Sequence, residues 1–266
     1  MRRALSIIFK ILVTIILTLL TQIGGVIYLL SEWIMVRVGW RKGYVRICSF
    51  IVFYLIISLW MVPPLASLFG RERVMHSKNI RPATYLTVIL NRNYVRPEMN
   101  DLLERVTIRL DNSEIQVRFL DANFPFLNRF PLLPHLSHND GKKLDLGLVY
   151  EDESGKISTQ QKSNTGYGVF EGPSHVEVNQ IESCFEQGYF QYDLAKYFTL
   201  GTKNSSLSFS EKGTRNLISI ILDQPELGKM FIEPHLKQRL QLTDSKIRYH
   251  GCRAVRHDDH IHIQIK

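Results

Sequence analysis

Two long stretches without a charged side chain occupy most of the first quarter of this 266-residue chain. They run from Ile11 to Leu30 and from Ile47 to Phe69. A helix rises about 1.5 Å per residue, so each stretch is long enough to cross a hydrocarbon layer about 30 Å thick. We therefore expect a membrane anchor over residues 1–70, with transmembrane helices at about 11–30 and 47–69.

A secretory signal peptide is the rival interpretation of the first stretch, with Met1-Arg2-Arg3 as its charged start. However, the stretch is longer than the usual signal core of about 7–15 apolar residues, and no small-x-small cleavage pattern closely follows it. Trp33 and Trp40 lie between the two stretches, where interfacial aromatic residues are typical. These features favour a membrane span.

Most of the positive charge lies in the same region. The formal net charge is +8, and the first 69 residues carry seven basic residues against one acid, Glu32. The rest of the chain is close to neutral, which argues against a nucleic-acid partner. The seven basic residues are Arg2, Arg3, Lys10, Arg37, Arg41, Lys42 and Arg46.

The distribution of basic residues around two spans also predicts an orientation. The linker between the spans has four Lys/Arg, the N-terminus has three, and the segment after the second span has four, namely Arg71, Arg73, Lys78 and Arg81. Cytoplasmic segments are enriched in Lys and Arg, so the count mildly favours both ends in the cytoplasm.

The remaining sequence predicts an α+β fold, a small antiparallel sheet with flanking helices, because strands and helices follow one another without regular alternation. Residues 71–106 form a juxtamembrane linker with helices, and residues 107–266 form the main domain. Helices are expected at 83–90, 96–106, 192–198 and 214–222, a β-hairpin at 107–119, an exposed excursion at 151–174, and strands at 144–150, 230–232, 246–250 and 260–265.

Histidines are concentrated in two short segments. In His260-Ile261-His262-Ile263-Gln264-Ile265 the alternation is strict, so His260 and His262 share one strand face and the isoleucines share the other. The second segment begins as a polar turn at His138 and enters a strand at Asp145. We expect this loop histidine and this aspartate to meet a histidine of a neighbouring strand.

Catalytic zinc takes three protein ligands from His, Asp or Glu and keeps a fourth position for water. His138, Asp145 and His262 supply that set. Zinc would lower the pKa of the bound water toward neutrality and make it a nucleophile. The sequence therefore predicts a Zn²⁺ cofactor with these three ligands.

These motifs resemble a known family of enzymes. Ser137-His138-x-x-Gly141-x-x-x-Asp145 together with His260-x-His262 is similar to the two-part zinc signature of the lysostaphin, D-Ala-D-Ala carboxypeptidase and sonic hedgehog metallopeptidase superfamily. The fuller His257-x-x-His260-x-His262 resembles its penicillin-insensitive murein endopeptidases. The resemblance covers about residues 107–266 and includes the Met230–Lys237 segment, whereas the membrane spans and the 151–209 region depart from it. It implies a zinc-dependent hydrolase of peptide bonds in peptidoglycan.

The resemblance leaves two candidates for the general base. In the murein endopeptidase and lysostaphin branches the first histidine of H-x-H lies beside the zinc, which corresponds to His260. In the carboxypeptidase and L-alanyl-D-glutamate peptidase branches an acid three residues before the last ligand does this work, which corresponds to Asp259. We favour His260 because Asp259 on an ideal strand would face away. His257 would polarise the scissile carbonyl or bind substrate, unless it is a solvated turn residue.

Other residues give weaker signals. His135 could orient His138, although a surface position after Pro134 is the simpler expectation. Arg253 and Arg256 could bind a substrate carboxylate or simply face water. Cys184 and Cys252 could pair, whereas Cys48 falls within the second span. The histidines without informative spacing are His76, His175, His235 and His250.

Two functions remain open from the sequence. The first is a membrane-anchored zinc peptidase acting on peptidoglycan peptides, held in the inner membrane with its catalytic domain outside the cytoplasm despite the charge count. The alternative is a non-catalytic, zinc-containing module that binds the cell wall or signals. A transporter is disfavoured because two spans with few polar groups offer no ion path. The expected partners are peptidoglycan peptides and the lipid bilayer.

Overall fold

A computed structural model describes residues 2–40 and 42–266 of the chain. Met1 of the signal-peptide interpretation and Arg41 of the charge count therefore lie outside the described residues. The helices are α1 Arg2–Thr21, α2 Gly24–Val38, α3 Gly43–Ile56, α4 Val62–Ser67, α5 Tyr85–Ile89, α6 Pro97–Leu110, α7 Gln180–Glu186, α8 Glu211–Leu222 and α9 Pro234–Arg239. A π-helical segment, Ile57–Met61, joins α3 to α4, and Phe190–Phe198 is a 3-10 segment.

The strands are short, and most of them belong to one sheet. They are β1 Glu72–Arg73, β2 Ile80–Pro82, β3 Tyr94–Val95, β4 Val117–Phe119, β5 Lys143–Gly147, β6 Tyr150–Glu151, β7 Ile157–Ser158, β8 Ser208–Phe209, β9 Leu227–Phe231, β10 Ile247–Arg248 and β11 His260–Ile265. The main sheet has the order β10-β9-β11-β5-β4-β2, and two smaller sheets pair β1 with β3 and β7-β6-β8.

The mixed α+β class agrees with the sequence prediction, but the main sheet is not wholly antiparallel. Its centre, β9-β11-β5-β4, is antiparallel, whereas β10 pairs with β9 and β2 pairs with β4 in parallel. The segment Ile80–Pro82 thus contributes an edge strand to this sheet.

The predicted hairpin at 107–119 is wrong. Residues 107–110 continue α6, and only Val117–Phe119 forms a strand. The buried residues of α6 recur at helical spacing, so continuing the helix buries one more leucine on the same face. These residues are Met99, Leu102, Leu103, Val106 and Leu110.

One face of the main sheet packs against α6 and α8. Leu144 and Leu146 of β5 and the isoleucines of β11 point into this core. The side chains between them, including Asp145 and His262, must therefore project from the opposite face. The strand alternation thus separates a hydrophobic core from a polar face.

Two apolar helices of this chain could span a membrane, Ala4–Thr21 and the composite helix Gly43–Ser67. Most of their side chains are exposed, as expected for helices that contact lipid rather than a protein core. The predicted second span at 47–69 overlaps the composite helix closely.

The predicted first span at 11–30 is not one helix. The chain leaves α1 at Thr21, Gln22 adopts a positive φ of 66°, and α2 returns alongside α1. Glycine permits the close approach, because a Cβ atom added to Gly25 would lie 2.0 Å from Thr18 Oγ1. Hydropathy is the same on both sides of this turn, so hydropathy alone could not reveal it.

A partly buried charge cluster joins the three N-terminal helices. Glu32 of α2 lies 2.5 Å from Lys10 Nζ of α1 and 3.3 Å from Arg46 Nη1 of α3. The start of α1, the end of α2 and the start of α3 therefore lie at one end of the helices. The main domain follows the composite helix at the other end.

Candidate metal centre

The site is built around a pair of directly opposed residues on β5 and β11. Asp145 and His262 are register partners, as are Gly147 and His260. Asp145 Oδ1 lies 2.8 Å from His262 Nδ1. The period of the two strands thus brings one predicted carboxylate and one predicted imidazole together.

His138 reaches the same point from the preceding loop. Its Nε2 lies 3.1 Å from His262 Nδ1 and 3.2 Å from Asp145 Oδ1. Its Nδ1 lies 2.6 Å from the carbonyl oxygen of Ala122, to which it donates a hydrogen bond. That hydrogen bond leaves the Nε2 lone pair directed at the cluster, the usual support for a metal-binding histidine. The three predicted ligands therefore converge.

His135 joins the cluster, although a surface position was expected for it. Its ring is buried, with Nδ1 3.3 Å from Asp145 Oδ2 and 3.2 Å from Asp121 Oδ2. His135, His138 and Asp145 form a buried group that could hold a metal ion. The surface expectation is wrong because Asp121 and Tyr167 enclose the loop that carries His135.

The donor atoms of this cluster suit a small divalent cation. Bonds of about 2.0–2.2 Å to a tetrahedral ion place its ligand atoms about 3.3–3.6 Å apart. The distances among His138 Nε2, Asp145 Oδ1 and His262 Nδ1 are 2.8–3.2 Å, so a slight outward movement suffices. At the same cluster, the buried Nε2 atom of His260 has no hydrogen-bond partner among the described residues and lies 3.8 Å from Asp145 Oδ2. An unpaired buried nitrogen atom is costly without a ligand.

Asp145 is held as a carboxylate by its neighbours. Burial raises its pKa, but His138, His260 and His262 outweigh burial and hold the pKa well below its usual value. Tyr167 donates a hydrogen bond of 2.7 Å to Asp145 Oδ2. Burial and the nearby carboxylates raise the pKa of Tyr167 well above its usual value, so the phenol remains a donor.

Asp259 and His260 form a buried pair beside the cluster. Asp259 Oδ1 lies 2.5 Å from His260 Nδ1, and Asp259 Oδ2 accepts a hydrogen bond of 2.6 Å from the backbone N–H of Gly168. Asp259 was expected to face away, but β11 begins only at His260, so the strand period does not govern it. Burial lowers the pKa of His260, but Asp259 and Asp145 outweigh burial and raise it to about 9.

The third predicted catalytic residue, His257, is also buried next to the cluster. Its ring centroid lies 4.8 Å from that of His260 and 5.6 Å from that of His262. Its backbone N–H donates a hydrogen bond of 2.9 Å to Glu233. Burial and the two neighbouring histidines hold the pKa of His257 well below its usual value. The solvated-turn interpretation is therefore wrong.

An open cleft of about 470 Å³ gives access to these histidines. His250, which has no informative spacing in the sequence, lines this cleft, and Arg253 lies exposed at its edge. Arg256 is used differently, because its guanidinium pairs with Asp258 and lies 4.0 Å from the ring centroid of Phe170. The other lining residues include Leu136, Gln191, Leu194 and Val255.

No pattern in the sequence indicates the roles of Asp121, Tyr167 and His250. Each reaches the site from a separate segment, and no strand or helix period relates those segments to the histidine motifs. Tyr167 lies between Gly166 and Gly168, both with positive φ, and the backbone N–H of Gly168 supports the site by its hydrogen bond to Asp259.

A disulfide stabilises one wall of the cleft. Cys184 of α7 is bonded to Cys252, next to Arg253. The pairing that the sequence left open is therefore present. Cys48 is a free cysteine and lies in α3.

No family model matches the chain, and no curated protein matches it significantly. The function must therefore be inferred from the geometry of the site and from the motifs that supply its residues.

Proposed function

We propose that this chain is a membrane-anchored zinc peptidase that hydrolyses peptide bonds in peptidoglycan cross-links or stem peptides. One observation carries the proposal. His138 Nε2, Asp145 Oδ1 and His262 Nδ1 lie within 3.2 Å of one another, beside a histidine held by a carboxylate. This combination supplies both a ligand set and a candidate base in one cleft.

We assign the metal ligands as His138, Asp145 and His262. When bound, zinc lowers the pKa of a coordinated water and polarises a carbonyl group. His135 lies on the other oxygen of Asp145, at 3.3 Å, and we assign it to support of that carboxylate. Its own contact with Asp121 favours this supporting role.

His260 is our choice for the general base. Its Nδ1 faces Asp259, and its Nε2, without a partner among the described residues, lies 3.8 Å from Asp145 Oδ2. With no metal bound, Asp259 and Asp145 raise the pKa of His260 to about 9 and keep its ring protonated at neutral pH. A bound zinc ion would lower this pKa, and the neutral ring could then accept a proton from water and transfer it to the leaving amine. Asp259 then orients His260, and His257 lines the cleft where a scissile carbonyl would lie.

The peptide substrate is supported by the cleft and by the motifs. The cleft is large enough for a short peptide, and Arg253 at its edge can pair with a carboxylate. The histidines and the aspartate of the zinc signature quoted above lie in or beside the same cluster. Their resemblance to murein endopeptidases therefore gives the substrate class.

The arrangement of the N-terminal helices supports a domain outside the cytoplasm. With the α1–α2 hairpin, Lys10, Arg37, Lys42 and Arg46 are all at the end of the helices remote from the main domain. Of the basic residues after the span, the buried Arg71 and the half-buried Arg73 form hydrogen bonds within the protein. The positive-inside rule then assigns the remote end to the cytoplasm. The hairpin therefore reduces the conflict between the charge count and an outer domain, with only Lys78 and Arg81 exposed among the four basic residues after the span.

The disulfide supports the same location. Cys184 and Cys252 are paired, and disulfides persist in extracytoplasmic compartments but are rare in the cytosol of mesophiles. We therefore propose the inner membrane as the location, with the cleft on its outer side.

The test uses the full chain purified in detergent, loaded with zinc and incubated with peptidoglycan sacculi. We expect muropeptide products by mass spectrometry, and we expect His260→Ala to lower the rate about 10²–10⁴-fold while retaining zinc. Asp259→Asn should lower it less, because His260 remains. The matched control is His175→Ala, which changes an exposed histidine outside the cleft.

The result also separates the two candidate functions. Zinc bound at the cluster without product formation from any sacculus preparation would favour the non-catalytic wall-binding or signalling module. If His260→Ala and Asp259→Asn both form products as fast as the parent chain, the assignment of His260 as the general base is contradicted.

A further inference from the structure

An apolar groove lies on the other side of the Leu133–His135 segment from the cleft. Its volume is about 470 Å³, which is within the usual range for small-molecule sites. The groove and the cleft share Leu133, Pro134 and His135 as a common wall. The groove is further lined by Leu20, Leu86, Leu90, Tyr197, Phe198 and Leu200.

The inner end of this groove reaches the side chains of the candidate metal site. Asp121 and His135 line it, and His135 Nδ1 lies 3.3 Å from Asp145 Oδ2. A ligand with an apolar chain in the groove would therefore carry its polar end toward the histidines. The ligand that fits both regions is therefore amphipathic, with its polar end at the histidines and its apolar chain in the groove.

The outer end of the groove adjoins the apolar helices. Leu20, in the last turn of α1, lines the groove directly. Gln22, two residues after Leu20, accepts a hydrogen bond of 2.9 Å at its side-chain oxygen from the backbone N–H of Phe126. Tyr54, near the middle of the composite helix, donates a hydrogen bond of 2.6 Å to the carbonyl oxygen of Ile89 in α5. The groove therefore lies alongside the helices and not above them.

The length of α1 brings this region to the outer edge of the bilayer. The apolar stretch Ala4–Thr21 rises about 26 Å, at about 1.5 Å per residue. The hydrocarbon core of a bilayer is about 30 Å thick. Exposed side chains around the groove can cover the difference, because they continue the apolar surface beyond the hairpin turn. These are Tyr85, Leu86, Ile89, Tyr197, Phe198 and Leu200.

We infer that the groove binds the hydrocarbon chain of a membrane lipid whose polar head carries the peptide to be cleaved. This inference rests on the proposed function and narrows its substrate class to lipid-linked peptides of the outer leaflet. The groove is continuous with the lipid-facing surface of α1 through Leu20, so a chain can enter it from the bilayer without crossing water.

Photolabelling tests the inference without requiring catalysis. The full chain is reconstituted in phosphatidylcholine vesicles with a probe, a short peptide ending in D-Ala-D-Ala that bears a diazirine-labelled hexadecyl chain. We expect the label on the peptides that contain Leu86, Leu133 and Leu200. Excess unlabelled lipopeptide should remove this label, whereas extra phosphatidylcholine should not.

A matched pair of variants locates the effect. Leu200→Asp puts a charge into the groove and should lower its labelling at least fivefold. Ile108→Asp changes a residue of similar exposure on α6 that does not line the groove, and it should have no effect. For hydrolysis, Leu200→Asp should reduce kcat/KM for the lipopeptide at least tenfold more than for the same peptide without the chain.

The outcomes separate the inference from the proposed function. Label confined to other parts of the protein, or groove label that phosphatidylcholine displaces as well as the lipopeptide does, overturns the inference even if sacculi are digested. Equal loss of both hydrolysis rates in Leu200→Asp also overturns it. Displaceable label in the groove, with neither peptide hydrolysed, supports lipopeptide binding and overturns the proposed peptidase activity.

Discussion

Asp145 and His262 face each other across two antiparallel strands, and their side chains meet at 2.8 Å. The pair lies on the polar face of a sheet whose other face is the hydrophobic core. Its position is therefore fixed by the same alternation that buries Leu144, Leu146 and the isoleucines of β11. Moving one of the two strands by one residue would point its own member of the pair into the core.

The first prediction concerns metal binding by this pair. Replacing His262 with Ala removes one of three proposed ligands, so we expect the purified full chain to lose its zinc during dialysis. The parent chain and His175→Ala should each retain about one zinc per chain, consistent with a single site of this kind. Elemental analysis measures the difference. Equal zinc in all three proteins would contradict the ligand assignment.

The sequence predicted this centre where the strand period applies. The alternation of the β11 sequence predicted the face on which His262 lies, and the resemblance to the zinc signature predicted that it meets Asp145. The place of His135 in the cluster was not predicted, because His135 lies in a loop whose path depends on contacts with Asp121 and Tyr167. The orientation of Asp259 was also missed, since it precedes the first residue of β11.

The prediction of the helices and strands from the sequence had similar limits. Core strands and the longer helices follow from hydrophobic periodicity, and most were predicted near their observed bounds. The turn at Gln22 interrupts a uniformly apolar stretch, so neither hydropathy nor charge marks it. Residues 107–110 satisfied both a strand and a helix pattern, and burial against the core decided for the helix.

A second prediction concerns the backbone that holds Asp259. Gly168 has a φ of 80°, and a Cβ atom there would lie 2.4 Å from the carbonyl oxygen of Ala195. Gly168→Ala should therefore destabilise the domain by more than about 1 kcal/mol. It should also shift the backbone N–H group that donates a hydrogen bond to Asp259. Gly172→Ala is the matched control, because a Cβ atom at Gly172 meets no atom within 4 Å.

Thermal unfolding of the two glycine variants gives the comparison. A lower midpoint for Gly168→Ala alone is the expected result, accompanied by slower hydrolysis if Asp259 orients His260. If both variants unfold at the parent temperature, the close approach of the 168 backbone to Ala195 is not a constraint on the fold.

The third prediction concerns the Cys184–Cys252 disulfide. Cys184→Ser should lower stability by about 2–4 kcal/mol, because the unfolded chain loses a crosslink that closes a long loop. Cys48→Ser is the control, as Cys48 is free and lies in α3. The midpoint of thermal unfolding should fall only for Cys184→Ser. A reductant should lower the midpoint of the parent chain, yet leave that of Cys184→Ser unchanged.

The last prediction concerns the side of the membrane on which the domain lies. Single cysteines are introduced at Trp40, in the turn after α2, and at Ser154, in an exposed turn of the main domain, both in a Cys48→Ser background. A membrane-impermeant maleimide applied to intact spheroplasts should label Ser154→Cys and spare Trp40→Cys, which should react only after permeabilisation. The hairpin brings the start of α1 and the end of α2 to one end of the helices, where the charges of Lys10, Glu32 and Arg46 meet. The positive-inside rule then predicts that this end is cytoplasmic. The reverse labelling pattern would place the cleft in the cytoplasm, away from any cell-wall peptide, and would remove the main support for a peptidoglycan substrate.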